Sequence, residues 1–325
     1  MKNQVKLLPY TIQSVVNQAN ETPEGVQLVQ APSLWEDSSQ GEGVVIAVID
    51  TGIDTSHPDL KDRIIAGRNF TSDYNGDPEV FEDNNGHGTH VSGTIAASLN
   101  NDGVVGVAPK AQILSLKALT GEGAGQYDWI IEAIRYAIEW QGPNNERVRV
   151  ISMSLGGPQD VPEMHKAIQD AVNQNISVVV AAGNEGDSLE DTFEYAYPGA
   201  YNEVISVGAV SMDLQLAPFS NTHTEIDLVA PGVDVVSTYP DDQFAKLTGT
   251  SMAAPHVAGA IALLINLSEK EFDRTLSEAE VYAQLIRRTV PLGNRKSAEG
   301  NGFLLLDVVE KLHDMIPASN MNVTP

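Results

Sequence analysis

The sequence predicts an α/β fold, a three-layer sandwich with a mostly parallel central sheet. Three observations carry that expectation. Several short runs are rich in β-branched residues and apolar without alternation, as strands buried on both faces are. Segments with apolar residues at helical spacing lie between them. The two kinds alternate along a chain of 325 residues, the pattern of parallel strands joined through helices.

The strands are expected at 44–49, 111–116, 148–153, 176–182, 204–210 and 226–230. The first helix, 88–99, turns small residues toward the sheet. The second, 127–140, places Trp129, Ile130, Ala133, Ile134, Ala137 and Ile138 on one face. A third runs over 162–174 and has Pro162 in its first turn, where a missing N–H costs nothing. The stretch 251–267 is apolar nearly all round and is expected at the centre of the core; 277–289 is amphipathic. No internal repeat or low-complexity block interrupts the pattern. Residues 1 to about 20 differ in character, polar with one apolar patch, and the short polar tail from Ile316 to Pro325 is expected to be mobile.

Lys plus Arg is 19 and Asp plus Glu is 44, so the net charge is −25. Such a surface repels nucleic acid and anionic membranes, and both are excluded as expected partners. There is no cysteine, which removes disulfides and thiolate chemistry. Near the N-terminus, Pro9, Tyr10 and Gln13 break any signal-peptide core. No stretch reads as long and apolar enough to span a bilayer. A cytoplasmic location is the expectation.

Three segments carry candidate chemistry. Asp50 ends a buried strand in Val48-Ile49-Asp50-Thr51-Gly52, at the sheet edge where α/β sites assemble. An acid there is costly unless paired, although a turn or cap acid fits the motif alone. His87 sits between glycines in Asn85-Gly86-His87-Gly88-Thr89-His90. His87 and His90, one turn apart, also have zinc-ligand spacing, but no Glu stands between them and no third ligand is near. Ser251 follows Gly249-Thr250 at the start of the apolar helix. Free N–H groups and the positive dipole end favour a developing anion there, but a serine hydroxyl needs a base. Asn184 ends another strand in Ala182-Gly183-Asn184-Glu185. It reads as a turn former or as an oxyanion donor.

These motifs, in the order Asp50, His87, Asn184, Ser251, resemble those of the subtilisin-like serine proteases, or subtilases. The resemblance runs from about Pro23 to about Leu306. It implies a subtilisin-like fold and an endopeptidase acting on protein or peptide substrates. Ser251 is then the nucleophile, His87 the base, Asp50 the group that orients His87, and Asn184 the oxyanion donor. Substrate binds as an added strand between Gly123-Ala124-Gly125 and Ser154-Leu155-Gly156. Ala181, Ala182, Gly183 and Ala196 line a roomy apolar specificity pocket, with Glu185 at its rim to favour a basic side chain.

The resemblance also implies structural Ca2+, held by oxygen-rich loops. The tight site takes Asp59 with Leu99, Asn101 and Val104, and Asn20 adds an oxygen; the spacing within this loop departs slightly from the secreted pattern. A weaker cation site takes Asp227 with Gly199, Tyr201 and Val204.

Leu7-Leu8-Pro9-Tyr10 resembles a motif of the intracellular subtilisin branch, with Leu8 in an isoleucine position. That branch implies a zymogen: an inhibitory extension at 1–19, a catalytic domain at 20–310 and a tail at 311–325. A tethered peptide reaches the cleft at high effective concentration. Pro9 lacks an N–H and restricts its neighbour, so a strand containing it resists productive alignment. Activation is expected by cleavage within about Val15 to Glu21, freeing Asn20 for the calcium site. The branch further implies a homodimer, with the segment after Phe303 as the candidate contact.

Overall fold

In a computed structural model of the chain, residues 4–100, 102–189, 192–309 and 311 are described. A nine-stranded sheet forms the middle layer. From one edge its strands run Thr289–Val290, Phe303–Leu304, Ile226–Pro231, Ile205–Val210, Ser177–Ala181, Val148–Met153, Val45–Asp50, Gln112–Lys117 and Ile64–Asn69. Every neighbouring pair is parallel except the first, which is antiparallel. The fold class read from the sequence is the one observed.

Each expected strand appears within a residue or two of its expected bounds. Their continuous apolar character follows from burial on both faces: Ile46 and Val48 pack into one core cluster, Val45, Ala47 and Ile49 into the other. Helices His87–Ala96 and Thr250–Phe272 cover the first face. Helices Tyr127–Glu139 and Pro162–Asn173 cover the second. Val45–Asp50 is flanked by Gln112–Lys117 on one side and Val148–Met153 on the other. Chain order reverses there, so Asp50 ends at the crevice a doubly wound sheet opens at such a point.

Three expectations need correction. The first helix stops at Ala96 rather than 99, because Ala97 is extended and Ser98 N–H donates to Asp59 O (2.9 Å). The helix expected over 277–289 ends at Ile286, and Thr289–Val290 joins the sheet instead. Among the described residues one helix, Thr250–Phe272, is long and apolar enough to cross a membrane, with mean hydropathy 1.4. Its most apolar window is 89% buried inside the protein, so its apolar character serves the core. The tail beyond residue 311 lies outside the described residues.

The first residues of the chain form structure of their own. Gln4–Leu7 is the middle strand of a three-stranded antiparallel sheet, between Ala124–Gln126 and Leu155–Gly156. Thr11–Val16 adds to the edge of the hairpin Val235–Tyr239/Gln243–Thr248. Asn20–Glu21 then pairs parallel with Gly103–Val104.

Candidate active site

The end of the strand Val45–Asp50 and the start of the helix His87–Ala96 bring an acid and a base together. His87 Nδ1 lies 2.8 Å from Asp50 Oδ1, and both side chains are buried. The same carboxylate oxygen accepts the Thr51 N–H at 2.7 Å. Paired so, the buried acid is no isolated charge. This contact fixes the imidazole with Nε2 facing away from Asp50, toward the cleft that Tyr10 enters. His90 is separate from it. Its Nε2 lies 3.1 Å from Val235 O and 3.2 Å from Ala245 O. Burial pushes its pKa down to about 3, so it is a neutral packed residue. Among the described residues no cluster of three His, Asp or Glu side chains is poised for a metal.

Two side chains that the motifs did not single out hold this corner. Asp83 Oδ1 accepts Thr51 Oγ1–H (2.9 Å) and the N–H groups of Asn85 and Gly86 (2.9 Å each). Its Oδ2 accepts Thr89 N–H (2.9 Å) and Oγ1–H (2.6 Å). Lys117, fully buried, donates to Thr51 O (2.6 Å), Asn84 Oδ1 (2.8 Å) and Leu119 O (3.1 Å), with Asp73 at 3.1 Å. Burial pushes the Lys117 pKa down, and Asp73 opposes that shift. Between them the two residues tie the loop after Asp50 to the loop before His87. The sequence signal for Asp83 is its place just ahead of His87; Lys117 carried none.

Ser251 lies in the first turn of the helix Thr250–Phe272. Its Oγ–H donates to Ser154 O at 3.3 Å, and Ser154 Oγ–H donates to Ser251 O at 3.0 Å. His87 Nε2 has no hydrogen-bond partner among the described residues. Catalytic hydrogen bonds of this kind commonly form only once substrate is aligned. Ser154, expected along the substrate edge, thus holds the serine.

Asn184 lies beside the start of the Ser251 helix. Its Oδ1 accepts Thr250 N–H (2.9 Å) and Oγ1–H (2.8 Å), which fixes the amide with Nδ2 outward. Nδ2 donates to Pro9 O at 2.7 Å. A carbonyl of the chain's own extension therefore occupies the position where this amide can hold an oxyanion.

The strand Gln4–Leu7 runs along the two expected cleft edges. Lys6 lies opposite Gly156 and Ala124, Val5 opposite Gly125, and Leu7 opposite Leu155. Leu7 N–H donates to Gly123 O at 2.8 Å. Leu8 is 2% exposed and packs in one cluster with Ala181 and Ala196. A Cβ at Gly156 would fall 2.8 Å from Leu8 Cδ2, so glycine there leaves room for this side chain where it now lies. A cavity of about 550 Å³ beside Leu8 is lined by Gly156, Gly157, Glu185, Tyr195 and Ala196. Ala182 and Gly183 are buried behind it: Asn221 Nδ2–H donates to Ala182 O (3.2 Å), and Gly183 O accepts Asn221 N–H (3.1 Å). Glu185 is already engaged: its Oε2 accepts Asn184 N–H (3.0 Å) and Asn221 Nδ2–H (2.9 Å). It braces the Asn184 loop. The ring of Tyr10 lies 5.0 Å from that of His87, and its hydroxyl donates to Asn85 Oδ1 at 3.3 Å. Burial pushes the Tyr10 pKa up to about 12, with Tyr239, Asp50 and Asp83 adding to the shift.

The two expected cation loops differ. Asp59 is buried, and its carboxylate accepts Asn100 Nδ2–H (2.7 Å) and Val104 N–H (3.0 Å). Burial raises its pKa; those two bonds pull the other way. Gly103 has φ +65, and a Cβ there would lie 2.1 Å from Asp59 Oδ2, so glycine is required for the loop to close on the carboxylate. Leu99 is on the exposed rim. Asn101 lies outside the described residues, and for Asn20 only the backbone, paired with Gly103, is described. At the second loop, Asp227 spends both oxygens on protein donors: Oδ2 on Ser206 N–H (2.8 Å), Oδ1 on Tyr282 O–H (2.6 Å). Burial pushes its pKa up to about 6. Tyr201 O accepts Val204 N–H at 3.4 Å, and Gly199 packs against the Ala181 carbonyl.

A buried Asp–His pair, a serine at a helix start and an outward asparagine amide, on a doubly wound sheet, define a serine hydrolase. The subtilase family model matches residues 41–303, well over half of the chain. The chain is 56% identical over 312 residues to an intracellular serine protease of Paenibacillus polymyxa, covering 96% of this chain and 94% of that protein. It is 52% identical over 322 residues to the major intracellular serine protease of Bacillus subtilis, covering 99% of each. It is 42% identical over 276 residues to subtilisin E of the same species, covering 85% of this chain and 68% of that protein. The chain belongs to the subtilase family and is a serine endopeptidase.

Proposed function

We propose that this endopeptidase works in the cytoplasm, depends on calcium, and is made as a zymogen whose first residues block its own cleft. The observation that carries the reading is the Pro9 carbonyl held at 2.7 Å by Asn184 Nδ2, with Tyr10 packed against His87. The cytoplasmic assignment is supported by the two relatives named intracellular.

Ser251 Oγ attacks the scissile carbonyl while His87 Nε2 takes its proton. Asp50 holds the imidazole tautomer and stabilises the imidazolium, and Asn184 Nδ2 donates to the oxyanion. His87 returns the proton to the leaving amine, and water hydrolyses the acyl-enzyme. An added strand between Gly123–Gly125 and Leu155–Gly156 positions the substrate, with a side chain in the slot beside Ala181, Ala182, Gly183 and Ala196.

The extension fits this machinery one residue out of step. Leu8 fills the slot, so the carbonyl due at Asn184 is that of Leu8. Pro9 supplies it instead, and Ser251 stays bonded to Ser154. Residues 1–19 are thus the inhibitory segment and 20–310 the catalytic domain, with 311–325 as tail. The buried Asp59 and the Gly103 loop fit a hard cation. Asp59, Leu99, Asn101, Val104 and Asn20 would hold Ca2+, which braces that loop. The pairing of Asn20 with Gly103 links the end of the extension to it. A weaker cation at Asp227 with Gly199, Tyr201 and Val204, and a homodimer, rest on the family resemblance alone.

A serine-directed phosphonylating reagent tests the chemistry. The reading expects one adduct, on Ser251, with loss of peptidase activity, and none in Ser251→Ala. Activity that survives the reagent contradicts it.

A further inference from the structure

The extension does more than fill the slot. After Tyr10 it continues as Thr11–Val16, an antiparallel strand on the edge of Gln243–Thr248. Thr11 lies opposite Thr248, Ile12 opposite Leu247, Ser14 opposite Lys246, Val15 opposite Ala245 and Val16 opposite Phe244, with a bulge after Ile12. The other edge of Gln243–Thr248 is taken by Val235–Tyr239. This edge therefore begins beside the catalytic serine and leads away on the leaving-group side of the cleft.

All six side chains of Thr11–Val16 are exposed, including Ile12 at 45%, Val15 at 42% and Val16 at 45%. The strand sinks no side chain into a pocket. What holds it is the backbone ladder, with the Gln13 amide accepting from the Thr248 hydroxyl (2.6 Å) and donating to Lys246 O (2.7 Å). An edge that binds chiefly through a backbone ladder, with no side-chain pocket, discriminates little between sequences.

We propose that the edge Phe244–Thr248 is a docking site for extended substrate polypeptide, taking residues up to about seven beyond the scissile bond as an added strand. The extension marks the path, and its removal frees the edge. The inference rests on the reading that the extension occupies the cleft as a substrate would. The docking site selects for an unfolded, extended chain and not for a sequence. Its natural substrates are then unfolded or locally unfolded proteins, cut well inside a flexible segment.

The test uses the full-length protein incubated until its activity is constant, with active serines counted by phosphonylation. Quenched fluorogenic peptides share all residues up to the second beyond the bond. One set ends there; the other continues for about five more polar residues. Two further long peptides carry N-methyl groups at alternate backbone positions, one in each phase. The long peptide is expected to gain roughly 10-fold in kcat/KM, and one methylated phase, not both, to lose the gain. Equal kcat/KM for long and short peptides, or equal behaviour of the two phases, overturns the docking edge. The underlying reading has its own readout in the same incubation. Full activity from time zero with the extension still attached overturns the occupied cleft, whatever peptide length does.

Discussion

The two halves of the extension are bound in opposite ways. Gln4–Leu7 is paired on both sides, and with Leu8 it buries side chains: Val5 is 0% exposed and Leu8 2%. Thr11–Val16 is paired on one side and buries none of its six. Between them, Pro9 and Tyr10 meet Asn184 and His87. The first half is anchored by side chains, where each deleted methylene is felt. The second is anchored by its backbone, where most side chains are interchangeable. On the proposed zymogen reading, recognition and blocking belong to the first half and the hinge, and the second half only follows an available edge.

The sharpest way to break this comparison is at the hinge. Asn184→Ala is expected to lower turnover of the processed enzyme by about 10²–10³, a magnitude borrowed from the equivalent donor in subtilisin. The same change removes the partner of Pro9, so the extension should also be cut faster by an added protease. Turnover without that second effect would uncouple the hinge from the oxyanion site.

Leu8→Asp comes next. Losing the burial of one leucine is worth about 1.5–3 kcal/mol. The unprocessed chain should then show roughly 10–100-fold more peptidase activity than the parent, read before any cleavage by gel. Tyr10 gives a pH test. Docked, its pKa is pushed up to about 12 by burial; released, it returns to 10.0. Both forms are neutral below pH 10, so docking is complete there. It weakens as pH rises from about 10 to about 12, because only the released form ionises. Initial activity of the unprocessed chain should rise over that window and not in Tyr10→Phe. At the small end, Ile12→Ser and Val15→Ser should shift docking by less than about 0.5 kcal/mol. A large release in either would make the second half a side-chain anchor and erase the contrast.

Sequence legibility divides along similar lines. The central strands and the residues that gather at the candidate site were readable because each carries a local signal: an unbroken apolar run, or a motif with fixed neighbours. The edge strand Ile64–Asn69 was not, since it is only half buried and contains Arg68 and Asn69. Nor was Thr11–Val16, whose partner is far away in the chain and whose exposed side chains carry no pattern. Leu7 to Tyr10 was singled out in the sequence as a candidate blocking motif, but its offset of one residue, Leu8 packed with Ala196 and Pro9 O at Asn184, emerges only from the fold. Lys117 lies just past the strand expected at 111–116 and carried no signal, and only the fold turns it into the buried bracket between Thr51, Asp73 and Asn84. Glu185, read as a charge at the pocket rim, is held by the Asn184 loop and Asn221. Asp59 was singled out from the sequence as a loop carboxylate, whereas Asn100, which donates to it, carried no signal of its own.

The central claim is that the first residues block a formed active site. The most direct measurement compares peptidase activity of the full-length chain with that of a chain beginning near Asn20, both in calcium and at matched concentration. The shortened chain is expected to be active at once, and the full-length chain only after its extension is cut. Equal activity of the two from the first seconds, with the extension intact, would contradict it.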